Sequence, residues 1–161
     1  YEAIVAALQG ALSEITKFRS EEGNVLEKDF MDRIGSLKDL LEQVLEMDPE
    51  RQGTIRERLE KAVQDIKQDV DANRFEQELI YYLEKYDITE EKVRLANHLD
   101  YFIKTIQSDD SNGKKLGFIS QEIGREINTI GSKANYAPMQ QLVVQMKDEL
   151  EKIKEQMLNV L

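Results

Sequence analysis

Residues 113–134 read GKKLGFISQEIGREINTIGSKA, and this stretch decides the fold class. At 100° per residue, its large apolar side chains fall on one face of a helix: Leu116, Ile119, Ile123, Ile127 and Ile130, with Ala134 at the end. Apolar spacings of three and four recur along the rest of the chain, and no alternating β-branched run bounded by turn signals competes with them. The sequence therefore predicts an all-α protein.

A second face of this helix is lined by glycines at positions 113, 117, 124 and 131. Each glycine inside a helix costs about 1 kcal/mol relative to alanine, so some group is expected to approach this face closely. Tight contact with another helix is the simpler explanation. The alternative is a backbone surface on which a bulky ligand, such as a nucleotide strand, lies.

The third face of the same helix is polar but not simply acidic. It mixes cations, amides, hydroxyls and carboxylates: Lys114, Lys115, Gln121, Glu122, Arg125, Glu126, Asn128, Thr129, Ser132 and Lys133. Arginine and lysine neutralise phosphate, amides and hydroxyls bond phosphate or base edges, and a carboxylate holds a divalent cation or moves a proton. A polar network between helices explains the same composition equally well.

Outward from this stretch, the pattern predicts further helices. A first helix breaks or kinks at residues 21–24, a second stops at Asp48-Pro49, and a third reaches about Val70. We interpret residues 1–72 as a long helical hairpin or coiled-coil-like arm, and residues 73–161 as a compact helical C-terminal domain that carries the site.

Within that domain, a helix is expected to start at Asp87 or Thr89 and to continue through Ile106. The polar run 108–112 reads as a loop, and the last helix follows Pro138.

Composition excludes several classes of protein. The 161 residues contain no cysteine, so disulfide scaffolds, thiolate catalysis and cysteine-ligated zinc or iron–sulfur sites are excluded. No apolar stretch approaches the roughly 20 residues that a membrane span needs. A net charge of −10 argues against broad attraction to nucleic acid, but residues 113–147 are locally cationic, with only Glu122 and Glu126 as acids.

His98 is the only histidine, with Glu91 two turns and Arg94 one turn before it on the predicted helix. An imidazole beside a carboxylate and a guanidinium can act as a general base, a metal ligand or a phosphate contact. A packed or surface histidine is the simpler interpretation. One helix earlier, Arg74 and Glu78 are four residues apart, which is typical of an ion pair within a helix.

Several motifs, in this order and spacing, resemble the YicC/YloC family of bacterial proteins. They are NRFEQEL (73–79), DITEE (87–91) with Arg94, Leu95 and His98, GKKL (113–116), Gln121-Glu122, Arg125-Glu126 and NTIGSKAN (128–135). The resemblance is dense over 73–161 and looser over 1–72. It implies the C-terminal part of such a protein without the family's N-terminal domain. The sequence departs from the family at Gly117 and Tyr136, where aspartate is frequent.

The resemblance implies a cytoplasmic, metal-dependent endoribonuclease that cleaves single-stranded or hairpin RNA and forms a ring-like homo-oligomer, a hexamer, with no membrane or DNA partner. Whether this stretch is active without the N-terminal domain is left open. By position, Glu78, Glu91, His98 and Glu122 would hold Mg²⁺ or Mn²⁺; catalysis would fall to His98, Glu122 and Glu91; RNA would contact Arg94, Lys115, Arg125, Lys133 and Asn128. The alternative is a non-catalytic oligomerisation scaffold or RNA-binding adaptor. The nuclease hypothesis requires the Arg74–Glu78 turn, the His98 helix and the glycine-lined helix to face one polar hollow.

Overall fold

The computed structural model describes residues 2–65, 71–108 and 112–158. These residues form α1 (Glu2–Asp65), α2 (Ala72–Lys85), α3 (Thr89–Ile106), α4 (Gly113–Ala134) and α5 (Ala137–Met157), and no strand. The predicted all-α class, with a long first helix followed by packed helices, is confirmed. Across the described parts of the chain, none of the helices has both the length and the apolar character that crossing a bilayer requires.

Helix α4 has the bounds that its apolar periodicity predicts. Its whole apolar stripe is buried, with no member more than 5% exposed. Helix α4 packs on α3 and on α5, and α1 packs on the same two helices from the other side. Helices α1, α3, α4 and α5 therefore enclose one core. Among the described helices, α2 makes extensive contacts with α1 alone.

The middle of α1 belongs to this core. Phe30, Ile34, Leu37 and Val44 are at most 3% exposed, and the Phe30 ring meets the Phe102 ring of α3 edge-on with centroids 6.0 Å apart. A helix that the sequence assigned to the arm thus packs with the C-terminal helices. The boundary at residue 72 itself stays a prediction.

The predicted helix break at 21–24 and the predicted helix end at Asp48-Pro49 are wrong, because α1 runs through both. Residues 21–24 are helical and exposed, and a Cβ at Gly23 would meet no neighbouring atom within 4 Å. One glycine there costs about 1 kcal/mol, which is too little to end a helix by itself. Pro49 lies inside α1, where buried Val44 before it and buried Ile55 after it keep both segments against the bundle.

The later helix ends follow their local chemistry. The Asp87 carboxylate accepts hydrogen bonds from the Thr89 backbone N–H at 3.1 Å and from its hydroxyl at 2.7 Å, which confirms the predicted start of α3. Asn135 adopts a left-handed conformation (φ 44°) between α4 and α5, and Pro138 lies in the first turn of α5. The predicted helix end at Val70 and the predicted loop at 109–111 lie outside the described residues.

Candidate functional site

A polar seam runs along the line where α3 and α4 meet. The two helices are antiparallel, so side chains met in order along one helix contact partners met in the reverse order along the other. Glu91 pairs with Lys133, His98 lies opposite Glu122 and Glu126, and Tyr101 contacts Lys115. Each of these side chains lies on the same face of its helix.

The centre of the seam brings together an imidazole and two carboxylates. One potential ligand atom from each of His98, Glu122 and Glu126 lies within 4.8 Å of the other two. Within the described residues, this is the single group of three or more such side chains close enough to share a metal ion. His98 and Glu122 are half-buried, whereas Glu126 is only 4% exposed.

Glu126 is unusual because its charge is not balanced by the protein. In the described part of the chain, neither a salt bridge nor a hydrogen bond joins its carboxylate to another group. Glu122 forms a salt bridge with Arg125, with 3.1 Å between Oε2 and Nη1. Two neighbouring carboxylates repel each other, and a cation bound between them removes that repulsion. The donor set of one nitrogen and carboxylate oxygens therefore fits a divalent cation.

The sequence interpretation did not name Glu126 as a ligand. A usable signal was present, because Glu122 and Glu126 are four residues apart and so project from the same face of α4. What the sequence does not contain is the burial of the second carboxylate, which depends on the position of α3.

Glu91, predicted as a ligand, lies elsewhere on the seam. It is 6% exposed and accepts a hydrogen bond from the Lys133 ammonium at 2.7 Å through Oε1, while its Oε2 is buried and has no partner. Seven residues separate it from His98, which is about 10 Å along a helix. Glu78 is exposed on α2 and does not enter the His98 group either. The structure thus brings together two of the three chain segments that the hypothesis requires.

The predicted RNA contacts divide by position. Arg94 is exposed and paired with Glu90, Arg125 is exposed and paired with Glu122, and Lys133 is paired with Glu91. Lys115 lies over the Tyr101 ring. Asn128 is exposed, about 120–160° around α4 from the residues of the seam.

The glycine face of α4 is covered by α5. A Cβ on Gly131 would lie 3.0 Å from Val143 Cγ1, one on Gly124 would lie 3.2 Å from Leu150 Cδ2, and one on Gly117 would lie 3.5 Å from Met157 Cε. These three glycines admit a helix, as the simpler interpretation predicted. The alternative of a nucleotide strand on this face is wrong for them. Position 117 also faces away from Glu122, so its departure from the family pattern leaves the His98 group intact.

A second cluster of charges joins α1 to α3 and to the end of α4. Asp48 and Arg51 of α1 are 2% and 1% exposed; the Asp48 carboxylate accepts bonds from Arg51 Nε at 2.7 Å and Lys92 Nζ at 2.6 Å. Arg51 Nη1 also donates to the Ala134 carbonyl at 3.3 Å, at the end of α4. Burial raises the pKa of Asp48, but the hydrogen bonds from Lys92 and Arg51 and their charges outweigh it, so this pKa lies below its ordinary value.

Comparison with known proteins places the chain in a family. The family model described as "Endoribonuclease YicC-like, C-terminal" matches residues 44–161. The chain belongs to the YicC-like family. It is 40% identical over 157 residues to a protein of Clostridioides difficile named "Probable endoribonuclease YicC", a match that covers 96% of this chain and 54% of that protein.

A Haemophilus influenzae protein of the same name is 29% identical over 157 residues, covering 98% of this chain and 55% of its own length. The chain thus spans about half the length of the YicC relatives that it matches. The match to the family model includes all of α3 and α4, and hence the whole polar seam.

Proposed function

We propose that this chain carries the cation-binding catalytic centre of an endoribonuclease that cleaves single-stranded or hairpin RNA. The observation that carries the proposal is the group of His98, Glu122 and Glu126, whose potential ligand atoms lie within 4.8 Å of one another, with the Glu126 side chain only 4% exposed and not paired with a protein cation among the described residues. The names of the YicC relatives support RNA as the substrate. The cation would be Mg²⁺ or Mn²⁺.

His98, Glu122 and Glu126 would hold the cation, with Glu126 as the anchoring ligand because it is the most buried of the three. A divalent cation in such a site supplies Lewis acidity toward a phosphoryl oxygen and lowers the pKa of an attacking water or 2′-hydroxyl. With Glu122 as a cation ligand, its salt-bridge partner Arg125 would be available to bind a phosphate oxygen.

The cations along the seam define a path for the RNA backbone. From Lys115 to Lys133 the rise along α4 is about 27 Å, with Arg125 and Arg94 between these ends. Arg94, Arg125 and Lys133 each hold a carboxylate in the structure, so phosphate must compete with Glu90, Glu122 and Glu91. That competition keeps non-specific RNA binding weak in a chain of net charge −10.

The proposal is tested by two measurements on the wild type and two variants, Glu126→Gln and His98→Ala. Titration with MnCl₂ and MgCl₂ while following thermal unfolding reports cation binding, and cleavage of a labelled hairpin RNA with and without chelator reports turnover. Both variants should lose the cation-induced rise in Tm and the cleavage. Glu155→Gln, which changes an exposed carboxylate of α5, should retain both.

The proposal is overturned if the wild type binds neither cation, or if both variants cleave the RNA as fast as the wild type does. RNA binding that persists in chelator without any cleavage would identify an RNA-binding adaptor instead.

We also propose that the protein forms a homo-oligomer in the cytoplasm. The support is a row of exposed apolar side chains in the first part of α1, spaced four and three apart like a coiled-coil seam: Ile4, Leu8, Ala11, Ile15 and Phe18. Light scattering after size exclusion tests this. Leu8→Glu with Ile15→Glu should lower the measured mass if the row joins subunits.

A further inference from the structure

One end of the polar seam carries aromatic side chains. Phe118 is 71% exposed, the highest value for any aromatic residue that the structure describes, and Tyr101 is 46% exposed. Lys115 Nζ lies 4.9 Å from the centroid of the Tyr101 ring, a cation–π contact. The opposite end, at Glu91 and Lys133, has a carboxylate in place of a ring.

These side chains lie one helical turn from the proposed metal site. Phe118 is three residues after Lys115 and four before Glu122, so all three project from one face of α4. On α3, Tyr101 is one turn after His98. The rise from Phe118 to Glu122 is about 6 Å, so a ligand on the Phe118 ring would adjoin anything bound at the His98 group.

Lys115 differs from the other cations of the seam. Arg94, Arg125 and Lys133 are each paired with a carboxylate, whereas the contact found for Lys115 among the described residues is an aromatic ring. A phosphate can therefore approach Lys115 without displacing an acidic partner. Lys115 and Phe118 are three residues apart, so their side chains are neighbours on one face of α4.

We propose that Phe118, Tyr101 and Lys115 bind one unpaired nucleotide of an RNA strand, with the base stacked on Phe118 and the phosphate on Lys115. This inference rests on the proposed function, because the strand that it positions is the one cleaved at the His98 group. Stacking needs a free face of the base, which a continuous duplex does not offer. The site therefore selects single strands and loops and tolerates any base.

The test measures the affinity of the 161-residue chain for a fluorescent single-stranded RNA in chelator, so that cleavage does not consume the probe. Phe118→Ala should raise Kd by about 5- to 150-fold, the range for loss of one base stacked on an aromatic side chain. Phe118→Tyr should restore binding. Val93→Ala, which truncates an exposed apolar residue on the far side of α3, should leave Kd unchanged.

A second arm removes the base instead of the ring. A series of RNAs carries a single abasic nucleotide, each at a different position. At one position the missing base should weaken binding to the wild type as much as Phe118→Ala does. The same abasic RNA should bind the Phe118→Ala variant no more weakly than the intact RNA does. Because the chain contains no tryptophan, 2-aminopurine at that position gives a clean signal, quenched by the wild type and not by the variant.

A third arm addresses the phosphate. Lys115→Met should reduce the magnitude of the slope of the logarithm of the association constant against the logarithm of the salt concentration by about one. Lys114→Met, which changes the neighbouring exposed lysine on another face, should reduce it less.

The outcomes separate this inference from the proposed function. If neither Phe118→Ala nor any abasic position changes cleavage or binding, the stacking site is overturned and the proposed nuclease function is retained. Base-dependent binding without cation-dependent cleavage supports the stacking site and overturns the nuclease. A wild type that binds no RNA overturns both.

Discussion

Asp48 and Glu126 are both buried carboxylates, with 2% and 4% exposure, but their surroundings are opposite. Asp48 is bound by a guanidinium, an ammonium and, at 3.2 Å, the Gln52 amide. No protein cation pairs with Glu126 among the described residues. The fold supplies a partner where a carboxylate joins helices. Glu126, which lacks such a partner, lies in the polar seam, where a cation from solution would balance its charge.

The largest effect should come from Asp48→Asn. This variant leaves the buried Arg51 and the half-buried Lys92 without their counter-charge, and breaking a buried pair costs about 3–5 kcal/mol of unfolding free energy. Urea unfolding measures the loss. Asp39→Asn, on an exposed part of the same helix, should change stability by less than about 0.5 kcal/mol. Equal effects of the two variants would contradict a structural role for Asp48.

Acid should reproduce part of this loss in the wild type. The folded-state pKa of Asp48 is below its unfolded value of about 3.9, so its contribution is complete above that value and disappears as pH falls through the folded pKa. The stability difference between wild type and Asp48→Asn should therefore shrink between about pH 5 and pH 2. Urea midpoints at several pH values check this, and a difference that stays constant would contradict it.

Lys133→Met should have an intermediate effect. It removes the cation from Glu91, which is 6% exposed and already has one unpartnered oxygen. We expect a loss of about 1–3 kcal/mol, partly recovered when Glu91→Gln is added. Thermal unfolding of both single variants and the double variant gives the coupling energy. Strict additivity would mean that the pair does not act as a unit.

The smallest effect should come from Glu126→Gln in chelator. Removing a buried charge that no cation balances relieves repulsion from Glu122, so the variant should match the wild type or exceed it by up to about 1 kcal/mol. Urea unfolding in chelator measures the difference. A loss comparable to that of Asp48→Asn would mean that Glu126 has a structural partner, and the contrast between the two carboxylates would fail.

Periodicity was sufficient to predict much of the fold. The stripe from Leu116 to Ala134 predicted α4 and its buried face, because apolar spacing depends only on helix geometry. Pro49 was misread because a proline removes one hydrogen bond, and packing of Val44 and Ile55 outweighs that local loss. Local signals cannot report packing that comes from helices distant in sequence.

The candidate site was predicted in part for the same reason. His98 and Glu122 were singled out from their residue types and neighbours, and the structure places them in one group. In the sequence, Glu126 and Asp48 are both acidic residues. They differ in their neighbours in the fold, because Lys92 and Arg51 lie within reach of Asp48, whereas an imidazole and another carboxylate lie within reach of Glu126. That difference requires the positions of three helices.

Helix α1 continues well beyond the bundle, and its first 25 or so residues carry exposed Ile4, Leu8, Leu12, Ile15 and Phe18. In the isolated chain their amide hydrogens are held only by bonds within that single helix. They should exchange with deuterium by fraying of the helix, far faster than the amides from Phe30 to Val44, whose exchange requires the bundle to open. Two parts of one continuous helix would then exchange through different opening reactions, each with its own free energy.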